Sequence, residues 1–268
     1  MLALFTVYGI LGAVTGLLAG LLGIGGGVVM VPMLHVAFGL QDISPLVLHK
    51  LALGTSLAGI MFTSVSSTLA HQRHVGVQWN IVGCITPGIL VGTLLGSFLA
   101  ARIPAQWLQV VFAIFLLYVI YSMLFGKKPK ASRHLPGPLG LSAAGGVIGC
   151  VSGLVGIGGG SMSVPYMLWH NVEIHKTIGT SAAIGFPIAL SGTLGYVYNG
   201  WNMPGLPEYC LGLVYLPGLL ILVTISMLTA PLGAKLAHRL PVGKLKKAFA
   251  ALLTVMCIKL FFDAMAAF

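Results

Sequence analysis

The chain carries one glycine-rich stretch twice. Gly23-Ile24-Gly25-Gly26-Gly27 runs into Val31-Pro32, and 133 residues later Gly156-Ile157-Gly158-Gly159-Gly160 runs into Val164-Pro165. Each copy divides one apolar run from another. Glycine inside a helix costs about 1 kcal/mol against alanine, so four together interrupt a helix. In a bilayer the interruption leaves backbone N–H groups that need partners. It is tolerated only where the broken backbone is buried in protein or lines a cavity. The two stretches are therefore the first candidates for a solute site.

A bilayer is implied because 57% of the residues are hydrophobic and 7% are charged. Soluble domains carry about 25% charged residues, and a chain with this little polar surface is an all-α polytopic membrane protein. Apolar segments run over 3–22, 28–39, 46–70, 78–101 and 105–125, then over 138–155, 161–170, 177–198, 210–236 and 243–265. A span needs about 20 residues, so the segments after each glycine cluster are half-helices or tilted pieces. The polar run from Gly126 to His134 reads as a linker. The domain plan is a first transmembrane repeat over 1–126, a linker over 127–137 and a second repeat over 138–268. Met1–Leu22 has no basic leader, so a cleaved signal peptide is not expected.

The halves match beyond the glycines. His49-Lys50 leads to Gly54-Thr55-Ser56, as His175-Lys176 leads to Gly179-Thr180-Ser181, and Arg102-Ile103-Pro104 answers Arg239-Leu240-Pro241. The order makes this an internal repeat. About five segments per half, or three spans and a re-entrant hairpin, give an odd number of crossings and hence inverted repeats. With five crossings, 11 of the Lys and Arg fall on one face and 3 on the other. A kinked single span at each glycine cluster splits them 8 against 6, and the positive-inside rule prefers the first arrangement. It puts the linker in the cytoplasm and both termini in the periplasm. Inversion lets the two broken helices meet near the midplane, a common transporter plan.

Free N–H groups at a helix start attract anions, which makes Gly25, Gly26, Gly27, Gly158, Gly159 and Gly160 candidate substrate contacts. Close helix packing is the competing use of such glycines. Ser161 and Ser163, and the pairs Thr55-Ser56 and Thr180-Ser181, offer hydroxyls to an oxyanion, against the ordinary habit of bonding their own helix. Lys50 and Lys176 offer positive charge, against snorkelling to the interface. His71 and His74 read as a solvated helix end. Gly88-x-x-x-Gly92-x-x-x-Gly96 is a close-packing face, used either within the chain or between copies, so a homo-oligomer is one partner it allows.

The remaining chemistry is sparse. The four cysteines lie singly, and neither a metal site nor a cofactor is expected. The glycine strings lack the strand and the Gly-Lys-Ser/Thr of nucleotide loops. Four acids scattered over the chain do not make an acid–base enzyme. Net charge is +10, mostly topogenic, and in short loops rather than a nucleic-acid patch. With almost no carboxylate in the spans, the expected cycle is export of an anion without an obligatory coupling ion.

The paired Gly-Ile-Gly-Gly-Gly-x-x-x-Val-Pro motifs, the Gly-Thr-Ser signatures and the Arg-x-Pro ends together resemble the TauE/SafE family of sulfite exporters, over about residues 5–265. The resemblance implies a bacterial inner-membrane protein that moves sulfite, sulfoacetate or a related organosulfonate. The partners expected are therefore a small anion and the lipid bilayer. The alternative from another class is an intramembrane scaffold or assembly protein without transport.

Overall fold

A computed structural model describes residues 2–22, 26–41, 43–74, 76–125, 135–237 and 242–266. Most of the expected linker, and the termini beyond these bounds, lie outside the described residues. Among the described residues the chain forms ten helices. The first series is α1 (Leu2–Leu22), α2 (Gly27–Gly39), α3 (Pro45–His74), α4 (Trp79–Arg102) and α5 (Ala105–Phe125). The second is α6 (Pro138–Val155), α7 (Gly160–Trp169), α8 (Ile174–Gly200), α9 (Leu216–Ala237) and α10 (Val242–Ala266). Most boundaries fall within three or four residues of the apolar segments. This is a nearly all-helical membrane protein whose helices break at the glycine clusters.

Among the described residues six stretches are long and apolar enough to cross a membrane, in α3, α4, α5, α6, α8 and α9. With 13 and 10 residues, α2 and α7 are too short. At 1.5 Å per residue they reach about 20 and 15 Å, against a hydrocarbon core of about 30 Å.

The all-helical expectation misses one element. Residues 210–215, read as the start of an apolar span, form a two-strand antiparallel ribbon, β1 (Cys210–Leu211) and β2 (Val214–Tyr215). Tyr209 and Gly212 both have positive φ, at 63° and 55°. These turns stop the helix from starting before Leu216.

Helices of one series pack on helices of the other: α4 runs along α6, α1 along α9, α3 along α8 and α5 along α10. If the second series is numbered in step with the first, the α4–α6 contact answers the α1–α9 contact. The α4–α8 packing likewise answers α3–α9, and α2–α3 answers α7–α8. The glycine repeat of α4 lies inside the chain. A Cβ at Gly88, Gly92 or Gly96 would run into the backbone carbonyls of Ser142, Gly146 and Cys150 on α6. In return, Gly145, Gly149 and Gly153 of α6 abut the backbone of α4 at Ile85, Ile89 and Thr93. Backbone-to-backbone approach of this kind needs small residues every fourth position. Around it, Ile60, Ile85, Ile89, Ile148, Ile184 and Ile188 make a continuous core.

Candidate functional site

The two glycine breaks have the same local geometry. Gly26 (φ 71°, ψ −12°) caps the start of α2, and Gly159 (φ 72°, ψ −10°) caps the start of α7. A side chain in this left-handed region costs roughly 1–2 kcal/mol, which is why glycine stands at both. Each cap carbonyl takes the first helical bonds: Gly26 O accepts from Val29 and Met30, and Gly159 O from Met162 and Ser163, all at 2.8–3.1 Å. The helix starts are therefore well formed, and their first N–H groups are the ones left without helical acceptors. Gly25 lies outside the described residues.

The breaks meet. A Cβ at Gly27 would lie 3.0 Å from Ile157 Cα and 3.2 Å from the Gly158 nitrogen, so the start of α2 abuts the break between α6 and α7. Gly26, Gly27, Gly158, Gly159 and Gly160 are all buried.

Serine hydroxyls gather on the second break. Ser56 Oγ donates to the Gly156 carbonyl at 3.0 Å. Ser163 and Ser181 share a hydrogen bond of 2.8 Å. Ser161 Oγ is buried and has no partner among the described residues, and the same holds for Ser152 Oγ, which lies against Gly159. Ser152 was not a candidate from the sequence. As a serine among apolar and small residues of α6 it reads as a packing residue. Two orphan hydroxyls beside one glycine turn call for an explanation, and each has a hydrogen to donate. Among the described residues the first break has nothing comparable, since Val28 and Met30 are buried and apolar.

The two threonines do other work. The backbone N–H of Tyr215 donates to Thr55 Oγ1 at 3.0 Å, and that of Gln78 donates to Thr180 Oγ1 at 3.0 Å. Tyr215 and Gln78 each stand one residue before a helix, α9 and α4 respectively. Gly54 and Gly179 give these segments room, lying against the carbonyls of Leu213 and Gly76. The threonines thus fasten the entries of equivalent helices, while the adjacent serines face the glycine breaks or their neighbours.

The lysines are unlike each other. Lys50 is buried, and its ammonium donates to the Ala101 carbonyl at 2.7 Å, at the negative end of α4. Lys176 is half-exposed and pairs with Glu173 at 3.1 Å, an exposed pair worth little. Neither is hydrogen-bonded to the serine cluster. A cavity of about 670 Å³ opens nearer Lys50, lined by Ala101, Tyr198, Asn199, Trp201 and Leu213 among others. Burial pushes the Cys210 thiol of the adjoining ribbon up to about 11, which leaves it protonated. Among the described residues no three His, Cys, Asp or Glu side chains converge on a metal position.

Ser56, Ser152, Ser163, Thr180 and Ser181 have at most 1% exposure. The arrangement is a buried polar cluster inside a membrane protein: hydroxyl donors and a backbone break, with no carboxylate bonded to them among the described residues.

Comparison with known proteins agrees with this architecture. The chain matches the family described as Sulfite exporter TauE/SafE over residues 8–260. It is 35% identical to a probable membrane transporter protein of Haemophilus influenzae, over 94% of this chain and 96% of the other. A probable membrane transporter protein of Bacillus subtilis, YunE, is 30% identical over 73% of this chain and 79% of its own. One from Methanocaldococcus jannaschii is 28% identical over 92% and 91%. No solved structure matches the chain.

Proposed function

This chain belongs to the sulfite exporter TauE/SafE family, a family of membrane transporters, and from that premise we propose that it carries a small sulfur-containing oxyanion such as sulfite, sulfoacetate or a related organosulfonate. The observation that supports this reading best is the meeting of Gly27 with the Ile157-Gly158 break beside the free hydroxyls of Ser152 and Ser161. Donors without acceptors, at a helix start and away from carboxylates, suit a solute rich in acceptor oxygens. On this reading the halves are inverted repeats that carry the solute at their interface. The protein lies in the bacterial inner membrane with both termini periplasmic, and transport rather than catalysis is its activity.

The proposed direction is outward. A charge crossing the membrane is worth about 2.3 kcal/mol per 100 mV. A dianion leaving a cell negative inside gains about 4.6 kcal/mol at that potential.

The test is flux in proteoliposomes, with sulfite and sulfoacetate against chloride. Saturable flux of a sulfur anion is expected, with at least a tenfold loss in Ser152→Ala or Ser161→Ala. Equal flux of chloride, or a binding partner with no flux at all, overturns the reading; the latter outcome is the one an assembly protein gives.

A further inference from the structure

At the end of the bundle where α2 and α10 finish and α3 begins, three titratable side chains form a chain. His35 Nε2 of α2 lies 3.5 Å from an Asp263 carboxylate oxygen of α10. His35 Nδ1 lies 3.4 Å from Nδ1 of His49 on α3. The exposures fall in steps: the Asp263 side chain is 42% exposed, that of His35 9%, and His49 as a whole 1%. His49 Nε2, the innermost atom, is buried and has no partner among the described residues. The chain therefore runs from solvent to an unsatisfied nitrogen in the protein interior.

The hydrogen count assigns the roles. A carboxylate only accepts, so His35 Nε2 carries a hydrogen towards Asp263. In the neutral pair His35 Nδ1 is then bare, and His49 Nδ1–H donates to it. That leaves His49 Nε2 bare, and an orphaned buried acceptor is costly. A proton added at His49 Nε2 turns that nitrogen into an N–H donor and makes His49 a cation. The His49 Nδ1–H bond can then break as a His35 Nδ1–H bond forms, which moves the positive charge next to the Asp263 carboxylate. The reverse sequence returns the proton inward. No atom is lost, and no co-reactant is needed.

The other groups facing the pair are few. Lys50 follows His49 on α3, with its ammonium held by Ala101. Burial is the largest influence on His35 and opposes its protonation; Asp263 favours it, and Lys259 of α10 opposes it. From α5 the Phe112 ring packs edge-on to His49, with centroids 5.6 Å apart.

We propose that His35, His49 and Asp263 form a proton-binding site, and that one proton moves through it in fixed ratio with the transported anion. This rests on the transport reading above, and it adds a proton to a cycle for which the scarcity of acids suggested none. Among the described residues the second half shows no counterpart: His175 is exposed, and its neighbour Lys176 pairs with Glu173. The site is thus a feature of one end of the molecule.

Two measurements on the full chain test it. In the first, protein with nitrogen-15 histidine in lipid nanodiscs is titrated by magnetic resonance, with His35→Gln and His49→Gln to assign the signals. The pair is expected to take up one proton between about pH 4 and 6.5, below the ordinary histidine range because burial opposes the charge on His35, each variant shifting the midpoint of the remaining histidine. If neither takes up a proton in that range, the proposal fails whatever the flux. In the second, liposomes loaded with a pH dye receive a gradient of sulfoacetate or sulfite, with protein-free liposomes as control. The wild type is expected to move protons with the anion, and His49→Gln to lose that proton signal tenfold or more. Asp263→Asn keeps the side-chain shape and removes a charge that favours the protonated pair, so the pH midpoint of flux should fall by about one unit. Anion flux without proton movement, or an unchanged proton-to-anion ratio in His49→Gln, overturns this proposal and leaves the transport reading standing. If neither anion moves, the transport reading fails and the titration alone decides the proton site.

Discussion

Thr180 illustrates how much a single hydroxyl holds in this fold. Its Oγ1 is the acceptor for the Gln78 N–H at 3.0 Å, in surroundings where water does not replace it. Thr180→Val should leave that donor unsatisfied and cost about 1–3 kcal/mol, while Thr180→Ser should keep the bond. Thermal unfolding in detergent, followed by tryptophan fluorescence, measures the difference; equal midpoints for the two variants would remove the fastening role. The sequence marks Thr180 and Thr55 as polar groups in apolar helices but not what they hold, because the partners lie 102 and 160 residues away. The same limit hid His35, His49 and Asp263. His49 reads only as part of the repeated His-Lys motif, and only the approach of α10 to α2 makes the three a chain. Ser152 was illegible for another reason: a serine followed by glycine in an apolar helix looks like packing, and only its missing partner distinguishes it.

At the scale of elements, the sequence was more informative. Hydrophobic run length located all ten helices, and the glycine clusters located both breaks, because those signals are local. The ribbon at 210–215 was missed because Cys210, Leu211, Val214 and Tyr215 are as apolar as a span, and the turn at Gly212 reads as one more glycine. The pairing of α4 with α6 gives a prediction with its own control. Gly92 faces the α6 backbone at Gly146, whereas Gly83 on the same helix has nothing within 4 Å. Gly92→Ile should cost more than about 4 kcal/mol, since backbone cannot yield as a side-chain tip can, and Gly83→Ile should fall within about 0.5 kcal/mol. Size-exclusion profiles of the two fluorescently tagged variants report this directly. A monodisperse Gly92→Ile peak at wild-type yield would contradict close α4–α6 packing.

For the whole molecule, orientation and symmetry carry the predictions. From the 11-to-3 charge division, Lys128 is expected on the cytoplasmic side. A cysteine at Lys128 should stay unmodified by a membrane-impermeant reagent applied to intact cells and react after lysis; labelling from outside reverses the topology. The packing is not fully balanced between the halves. The α5–α10 pair leans on α3 and α2, while among the described residues its packing on α8 and α7 is marginal at most. On the transport reading proposed above, a carrier with repeated halves has a second arrangement available, in which that pair leans the other way.

The crossed pairing of α1 with α9 and α4 with α6 also bears on how the protein is made. When the ribosome has finished α5, the first half is in the bilayer without the partners of its two glycine-lined helices. The α4 surface waits about 30 further residues for α6, and the α1 surface about a hundred for α9, a delay of roughly 5–20 seconds at ordinary elongation rates. The halves are therefore obligate companions rather than independent folding units. Residues 1–126 expressed alone should be degraded, and co-expression with 138–268 should rescue both fragments. Pulse-chase of the tagged fragments measures it, and a first half that persists alone at the co-expressed level would mean that the crossed helices find their place without each other.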